Sequence, residues 1–238
     1  MATVTKPTRV LPRLSTRARI PTAVAGEQRI VIRGLSWDLY DRLSDAVGEG
    51  QHVHLTYDGK DLELMTTGRM HEVYKELFGW FMRFVTSELR IRCRPLGQTT
   101  WKRPEIARGL EADQCYYFTP KKIKAELKGL AKKSNKIADY PNPDLAIEID
   151  ISPSQVDRTG IYAALKVPEV WRFDGESLVI GQLSRDGTYT TAEKSLFLPV
   201  RAEEVCRWVA QEDSSDELAW EQRLREWART ELAPRLNA

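Results

Sequence analysis

The chain has 238 residues, 42% hydrophobic and 29% charged, which is the make-up of a folded domain with a sizeable core. Lysine and arginine exceed acids by a net charge of only +2, so any affinity for nucleic acid has to come from local clusters. Cys93, Cys115 and Cys206 are too few and too scattered for a disulfide framework or a zinc module, and no apolar run is long enough to span a bilayer, so the composition points to the cytoplasm.

The first 26 residues hold no acid but carry Lys6, Arg9, Arg13, Arg17 and Arg19, interrupted by Pro7, Pro12 and Pro21. No apolar stretch follows these charges as it would in a secretory signal, so residues 1–28 read as a disordered basic tail able to touch nucleic acid. Order is expected from Arg29 with Ile30-Val31-Ile32. Ser36 then caps a helix from Trp37 to about Val47, with Leu39, Leu43 and Val47 on one stripe. His52–Tyr57 alternates as a strand, and Asp58-Gly59 turns it into a second strand, Leu62–Met65.

From Arg69 to Leu89, Met70, Val73, Leu77, Phe81 and Phe84 recur at spacings of three and four, which predicts a helix. Short strands are expected near Ile91–Cys93 and Thr99–Lys102, and a clear one over Asp113–Phe118. Pro120 opens a basic segment, Lys121, Lys122, Lys124, Lys128, Lys132, Lys133 and Lys136, offset only by Glu126. Ile123, Leu127 and Leu130 give it the spacing of an amphipathic helix. Its lysines are either a solvated face or a sequence-independent clamp on phosphates.

Asp144–Ile151 is the strongest strand in the chain. A helix from Gln155 to Lys166 follows Ser154 as cap. A strand over Pro168–Phe173, a turn at Asp174-Gly175, a strand over Leu178–Leu183 and a turn at Asp186-Gly187 come next. Glu203–Gln211 and Asp216–Leu232 read as helices, the second bearing Leu218, Trp220, Leu224 and Trp227. Strands that surround helices without strict alternation imply an α/β domain with a mixed sheet covered on both faces. Its limits are drawn at residues 29–200, with 201–238 as a helical extension.

Side chains alternate between the faces of a strand, so Leu145, Ile147, Ile149 and Ile151 share one face and Asp144, Ala146, Glu148 and Asp150 the other. Carboxylates on a buried strand repel one another and lose hydration unless a cation or donors compensate. Asp144 lies roughly 13 Å from Glu148 along a strand, too far to share an ion, whereas Glu148 and Asp150 are roughly 6.6 Å apart. Asp144 instead reads as the end of the strand or the cap of a turn. If the Asp113 strand lies beside this one, Asp113 and Glu148 can make a hard-oxygen site for Mg²⁺ or Mn²⁺, which would activate a water and stabilise charge on a phosphate. By itself Asp113 could equally be a strand-edge residue.

Asp113, Glu148-Ile149-Asp150, Ser152-Pro153-Ser154, Ile161–Leu165 and Val167-Pro168-Glu169-Val170-Trp171 together resemble the Uma-two family of the restriction-endonuclease-like PD-(D/E)XK superfamily. Leu62–Met65 with His71-Glu72, Gly97-Gln98-Thr99-Thr100 and Gly109–Tyr117 resemble the same family, over roughly Arg29 to Leu232. The resemblance implies a four- or five-stranded mixed sheet flanked by helices and a Mg²⁺-dependent endodeoxyribonuclease. It implies Asp113 and Glu148 as metal ligands and Glu72 as an acidic support for the metal. A lysine is implied two residues after Glu148, where this chain has Asp150. Family members tend to supply that cation from the next helix, near Arg158, with Lys166 ranked second here. Arginine can hold a phosphate but cannot shed a proton near neutral pH. The nuclease therefore stands beside two other readings: a catalytically weakened relative that binds DNA, and a module that dimerises through Trp208, Trp220 and Trp227, a homodimer in either case being open.

Overall fold

The computed structural model describes residues 27–48, 52–210 and 216–236. The basic tail over residues 1–26 lies outside them. Nine strands form one sheet among the described residues: β1 (Gln28–Ile32), β2 (Val53–Tyr57), β3 (Leu62–Thr66), β4 (Arg94–Arg103), β5 (Arg108–Tyr117), β6 (Leu145–Ile149), β7 (Glu169–Phe173), β8 (Leu178–Leu183) and β9 (Tyr189–Ala192). The helices are α1 (Trp37–Val47), α2 (Arg69–Glu88), α3 (Pro120–Ala131), α4 (Arg158–Ala164), α5 (Ala202–Ala210) and α6 (Glu217–Trp227). None is long and apolar enough to cross a membrane.

The sheet is mixed, as expected, and larger than four or five strands. Its order is β1-β3-β2-β5-β6-β7-β8-β9, with β4 also on β5, and only β6 and β7 run parallel. The ten-residue β5 is the hub. One edge pairs with β4 along its length. The other edge is shared: β2 takes Gly109 and Leu110, and β6 takes Gln114 to Tyr116. Residues 111–113 therefore lie in a fork between two diverging strands. Gly109 is glycine for a reason of space, since a Cβ there would meet the Tyr40 hydroxyl at 2.1 Å.

On one face, Leu145, Ile147 and Ile149 of β6 pack with Leu77, Phe78, Phe81 and Val85 of α2. On the other, Leu110, Cys115, Tyr117 and Ala146 pack with Ile161, Tyr162 and Leu165. Tyr40 of α1 covers Leu55 and Tyr57, its ring stacked on Tyr57 at 4.8 Å. Ser36 caps α1, accepting from the Leu39 N–H at 3.4 Å.

Several boundaries differ from the sequence reading. Residues 91–93 form no strand, and β4 begins at Arg94 and continues through Gly97, whose φ of +64° favours glycine. β5 begins five residues before Asp113. α4 starts at Arg158 with Asp157 as its cap, because Ser154 is drawn away to Glu63. β9 follows the Asp186-Gly187 turn. In α2 the first turn directs His71 rather than Met70 toward the sheet, leaving Met70 and Val73 exposed.

The C-terminal segment is no appendage. Val205, Val209, Trp220, Leu224, Ala228 and Leu232 belong to the same core as α2. Trp220 packs on Trp80 and Phe84 at 6.5 and 6.4 Å, and Trp227 on Phe81 at 6.3 Å. These rings are used within the chain, which removes the motive for a tryptophan-mediated dimer. Trp220→Ala is expected to lower the unfolding free energy of the whole domain by about 3–5 kcal/mol. Urea unfolding followed by far-ultraviolet circular dichroism checks this; a variant that unfolds at the wild-type midpoint would restore the reading of an independent extension.

Candidate active site

Asp113 owes its position to a bulge. The β4–β5 ladder runs from Thr99 opposite Ala112 to Gly97 opposite Cys115, so two steps on β4 answer three on β5. Leu110 and Ala112 thus share a core with Cys115 and Tyr117, although their numbers differ in parity. The extra residue re-aims the side chains at 113–114, a common use of bulges. The β5–β6 register, Cys115 opposite Ala146 and Gln114 opposite Ile147, continued by one step sets Asp113 across from Glu148. There the ladder stops, and Asp113 Oδ2 itself accepts the next N–H, that of Ile149, at 2.8 Å.

Two histidines face the other carboxylate oxygen. Asp113 Oδ1 lies 3.2 Å from His71 Nε2 and 3.4 Å from His54 Nδ1, with all three residues buried. The second nitrogen of His71 lies 3.4 Å from Glu72. Burial acts to depress His71, but its ionic contact with Asp113 outweighs that and raises it. Burial likewise acts to raise Asp113, and His71 holds it below the ordinary carboxylate range. His54 behaves differently: burial pushes it down to about 4, so it is neutral near pH 7.

The tautomer of His54 follows from its neighbour. Gln98 Oε1 accepts from Lys75 at 3.3 Å and Gln98 Nε2 donates to Glu111 at 2.5 Å, which fixes the amide orientation. The same Nε2 sits 3.2 Å from His54 Nε2, which therefore accepts. The His54 proton is left on Nδ1, facing Asp113.

Glu148 is fully buried and both its oxygens are engaged. Arg158 donates to Oε2 and the Tyr162 hydroxyl to Oε1. Burial pushes the Glu148 carboxyl well above its usual range, and the Arg158 guanidinium is the main influence opposing that rise. Arg158 also reaches Asp150 at 3.1 Å, and Arg172 meets the second Asp150 oxygen at 3.0 Å. The loop that delivers Arg158 is clamped from β3: Glu63 accepts from Ser154 at 2.9 Å, from the Gln155 N–H at 2.7 Å and from Arg29 at 2.6 Å.

The structure thus gathers Asp113, Glu148, Asp150 and Arg158. Glu72, on the first turn of α2, is partly exposed; it is tied to Lys75 at 2.5 Å and touches the cluster only through His71. Lys166 is exposed in a left-handed turn after α4 and is not one of the two residues that bond Glu148. Asp144 caps the β5–α3 turn, accepting from the Phe118 and Thr119 N–H groups at 2.8 and 2.7 Å, and pairs with Lys122. Lys121, Lys124, Lys128, Lys132 and Lys133 are exposed on or just past α3. Sequence reasoning missed His54, Glu63 and Gln98. The signal available for His54 and Glu63 was a polar side chain facing inward from each of two otherwise apolar strands.

As arranged, the cluster does not fit a divalent cation. Among the described residues no group of three or more histidine, cysteine or carboxylate side chains is placed to hold one. Glu148 offers no free oxygen, and Asp113 only Oδ1, which lacks a well-formed hydrogen bond. The model of the family described as "Uma2: Putative restriction endonuclease" matches residues 37–207, from α1 into α5. The chain belongs to the Uma2 family. No curated protein matches it. Every residue of the Uma2 cluster just described lies inside the matched span, whereas β1 and α6 fall outside it.

The His54 geometry has a consequence for this Uma2 protein's stability. As pH falls from about 6.5 toward about 4, the unfolded chain takes up a proton that buried His54 refuses, so this contribution to stability is present above the window and lost within it. Between about pH 7 and about pH 5 the loss is on the order of 2 kcal/mol. His54→Gln should shrink the difference between urea-unfolding free energies at those two pH values. An equal drop in both proteins would show that His54 is not the proton-linked group.

Proposed function

We propose that this Uma2 protein hydrolyses DNA phosphodiester bonds, with Asp113 and Glu148 at the centre and Mg²⁺, or Mn²⁺, as cofactor. The observation that carries the reading is that buried Asp113 and the buried Glu148–Arg158 pair lie on neighbouring strands at the sheet fork, inside the span that the family model matches. Asp113 and Glu148 are the residues that would hold the ion, whose chemistry when bound is to activate water and offset charge on the phosphate.

The chain's own residues supply positioning and charge. Arg158 presents a planar fork of donors that matches a phosphate or a carboxylate, and its permanent charge makes it an electrostatic stabiliser rather than a base. Tyr162 is pushed upward by burial and by Glu148, so it acts as a donor and not as a phenolate. The first turn of α3 is tied to Asp144, which lies roughly 13 Å along the strand from Glu148. The exposed Lys121, Lys124 and Lys128 of α3, with Lys132 and Lys133 beyond, make no carboxylate pair among the described residues and are free to meet phosphates. Lys122 is already committed to Asp144 at 2.7 Å.

One observation favours a second reading, the weakened DNA-binding relative: Glu148 is closed off on both oxygens. Nicking of supercoiled plasmid in Mg²⁺ or Mn²⁺ separates the two. The nuclease is expected to nick, and Glu148→Gln to abolish it; nicking by that variant at the wild-type rate would remove the assignment. For DNA binding, replacing Lys121, Lys124 and Lys128 together with glutamine should lower the dependence of log affinity on log salt by about three. An unchanged slope would exclude α3 from the contact surface.

A further inference from the structure

Arg158 and Glu148 face each other as a buried pair, and a buried carboxylate needs a counter-charge. Arg158 fills that need for two acids at once, one guanidinium nitrogen on Glu148 and another on Asp150. It is itself buried, and its Nε makes no hydrogen bond. The other cations nearby are committed elsewhere. Lys75 is held by Glu72 and Gln98. Arg172, half exposed, sits on the far oxygen of Asp150. If Arg158 withdrew, Asp150 would keep Arg172, but Glu148 would keep only the neutral Tyr162 hydroxyl. Glu148 is thus the acid that would need a replacement cation.

We propose that Arg158 is a built-in counter-ion that competes with a divalent cation for Glu148, so that metal binding requires its withdrawal. This rests on the proposed assignment of Glu148 as a metal-holding residue. It accounts for the mismatch between the cluster and a divalent ion: the oxygens are present and face inward, and a protein cation already occupies one of them. The same fork that releases a carboxylate fits a phosphate, so DNA would favour the withdrawn position. Arg158 then acts as a positioning residue that couples occupancy of the ion site to occupancy of the phosphate site.

The test is Mn²⁺ binding to the full chain without DNA, by calorimetry and by the electron paramagnetic resonance of free Mn²⁺, at about pH 8, where carboxyl protonation competes least. Arg158→Gln is expected to bind Mn²⁺ at least about tenfold more tightly than wild type, a difference of about 1.4 kcal/mol. Mn²⁺ should also raise its melting temperature by more. Arg158→Lys, with one ammonium that cannot bridge both acids, should fall between the two. Adding Glu148→Gln to Arg158→Gln should cancel the gain. Wild type binding Mn²⁺ as tightly as Arg158→Gln, or more so, overturns the competition while leaving the metal assignment intact. No binding to any variant overturns both. If Arg158→Gln does not melt cooperatively, Arg158→Lys carries the comparison: tighter binding than wild type supports competition, and equal or weaker binding overturns it.

Discussion

Taking Asp113 and Glu148 out of water is the constraint around which the centre of this protein is arranged. A buried carboxylate is tolerated only with a cation or several donors in contact, and the two acids meet that demand separately. Asp113 takes the Ile149 N–H and the His71 imidazole. Glu148 takes Arg158 and Tyr162. These partners come from β6, α2 and α4, so the charge balance of the site is also a tertiary tie between both faces of the sheet. The fork in β5 is what makes room for it. Had β6 continued its ladder along β5, the Ile149 N–H would bond a backbone carbonyl, and Asp113 Oδ2 would lose that donor.

That arrangement bears on chemistry through the identity of one cation. A lysine near the position of Arg158 would offer a single point charge that can lose a proton. Arginine offers a rigid fork that cannot. Here the fork spans Glu148 and Asp150, and the acid in the slot two residues after Glu148 is part of what holds it. Asp150 and Arg158 are therefore one structural unit: an acid and the arginine that answers it.

The stability of the centre is borrowed from further away. Glu63 on β3 gathers Arg29, Ser154 and the Gln155 N–H, fixing the loop from which α4 and Arg158 start. Behind β6, the layer of α2, α5 and α6 buries Ile147 and Ile149 under phenylalanine and tryptophan rings. The C-terminal helices thus support the strand that carries Glu148, although they contribute no residue to the cluster.

Much of this was legible in the residues alone. Strict alternation over 144–150 separated Leu145, Ile147 and Ile149 from Glu148, because a strand has only two faces; both are buried, the apolar set under α2 and Ala146 with Glu148 toward α4. Strand arithmetic also separated Asp144 from Glu148, and Asp144 indeed caps a turn. The helices α1, α2 and α6 were readable from apolar spacing and, for α1, from the Ser36 cap. Tertiary structure alone decided the rest. The bulge at 113–114 reverses the parity of β5, and it arises from pairing with Gly97, a residue distant in sequence. His54 entered the site because β2 flanks the fork, which no local pattern encodes. The engagement of Glu148 by Arg158 likewise depends on where α4 begins, and that start is set by Glu63 pulling on Ser154 from another strand. Periodicity is a local property and survives in the sequence; which buried charge finds which partner depends on packing between distant segments, 92 residues apart for Glu63 and Gln155, and only the folded chain settles it.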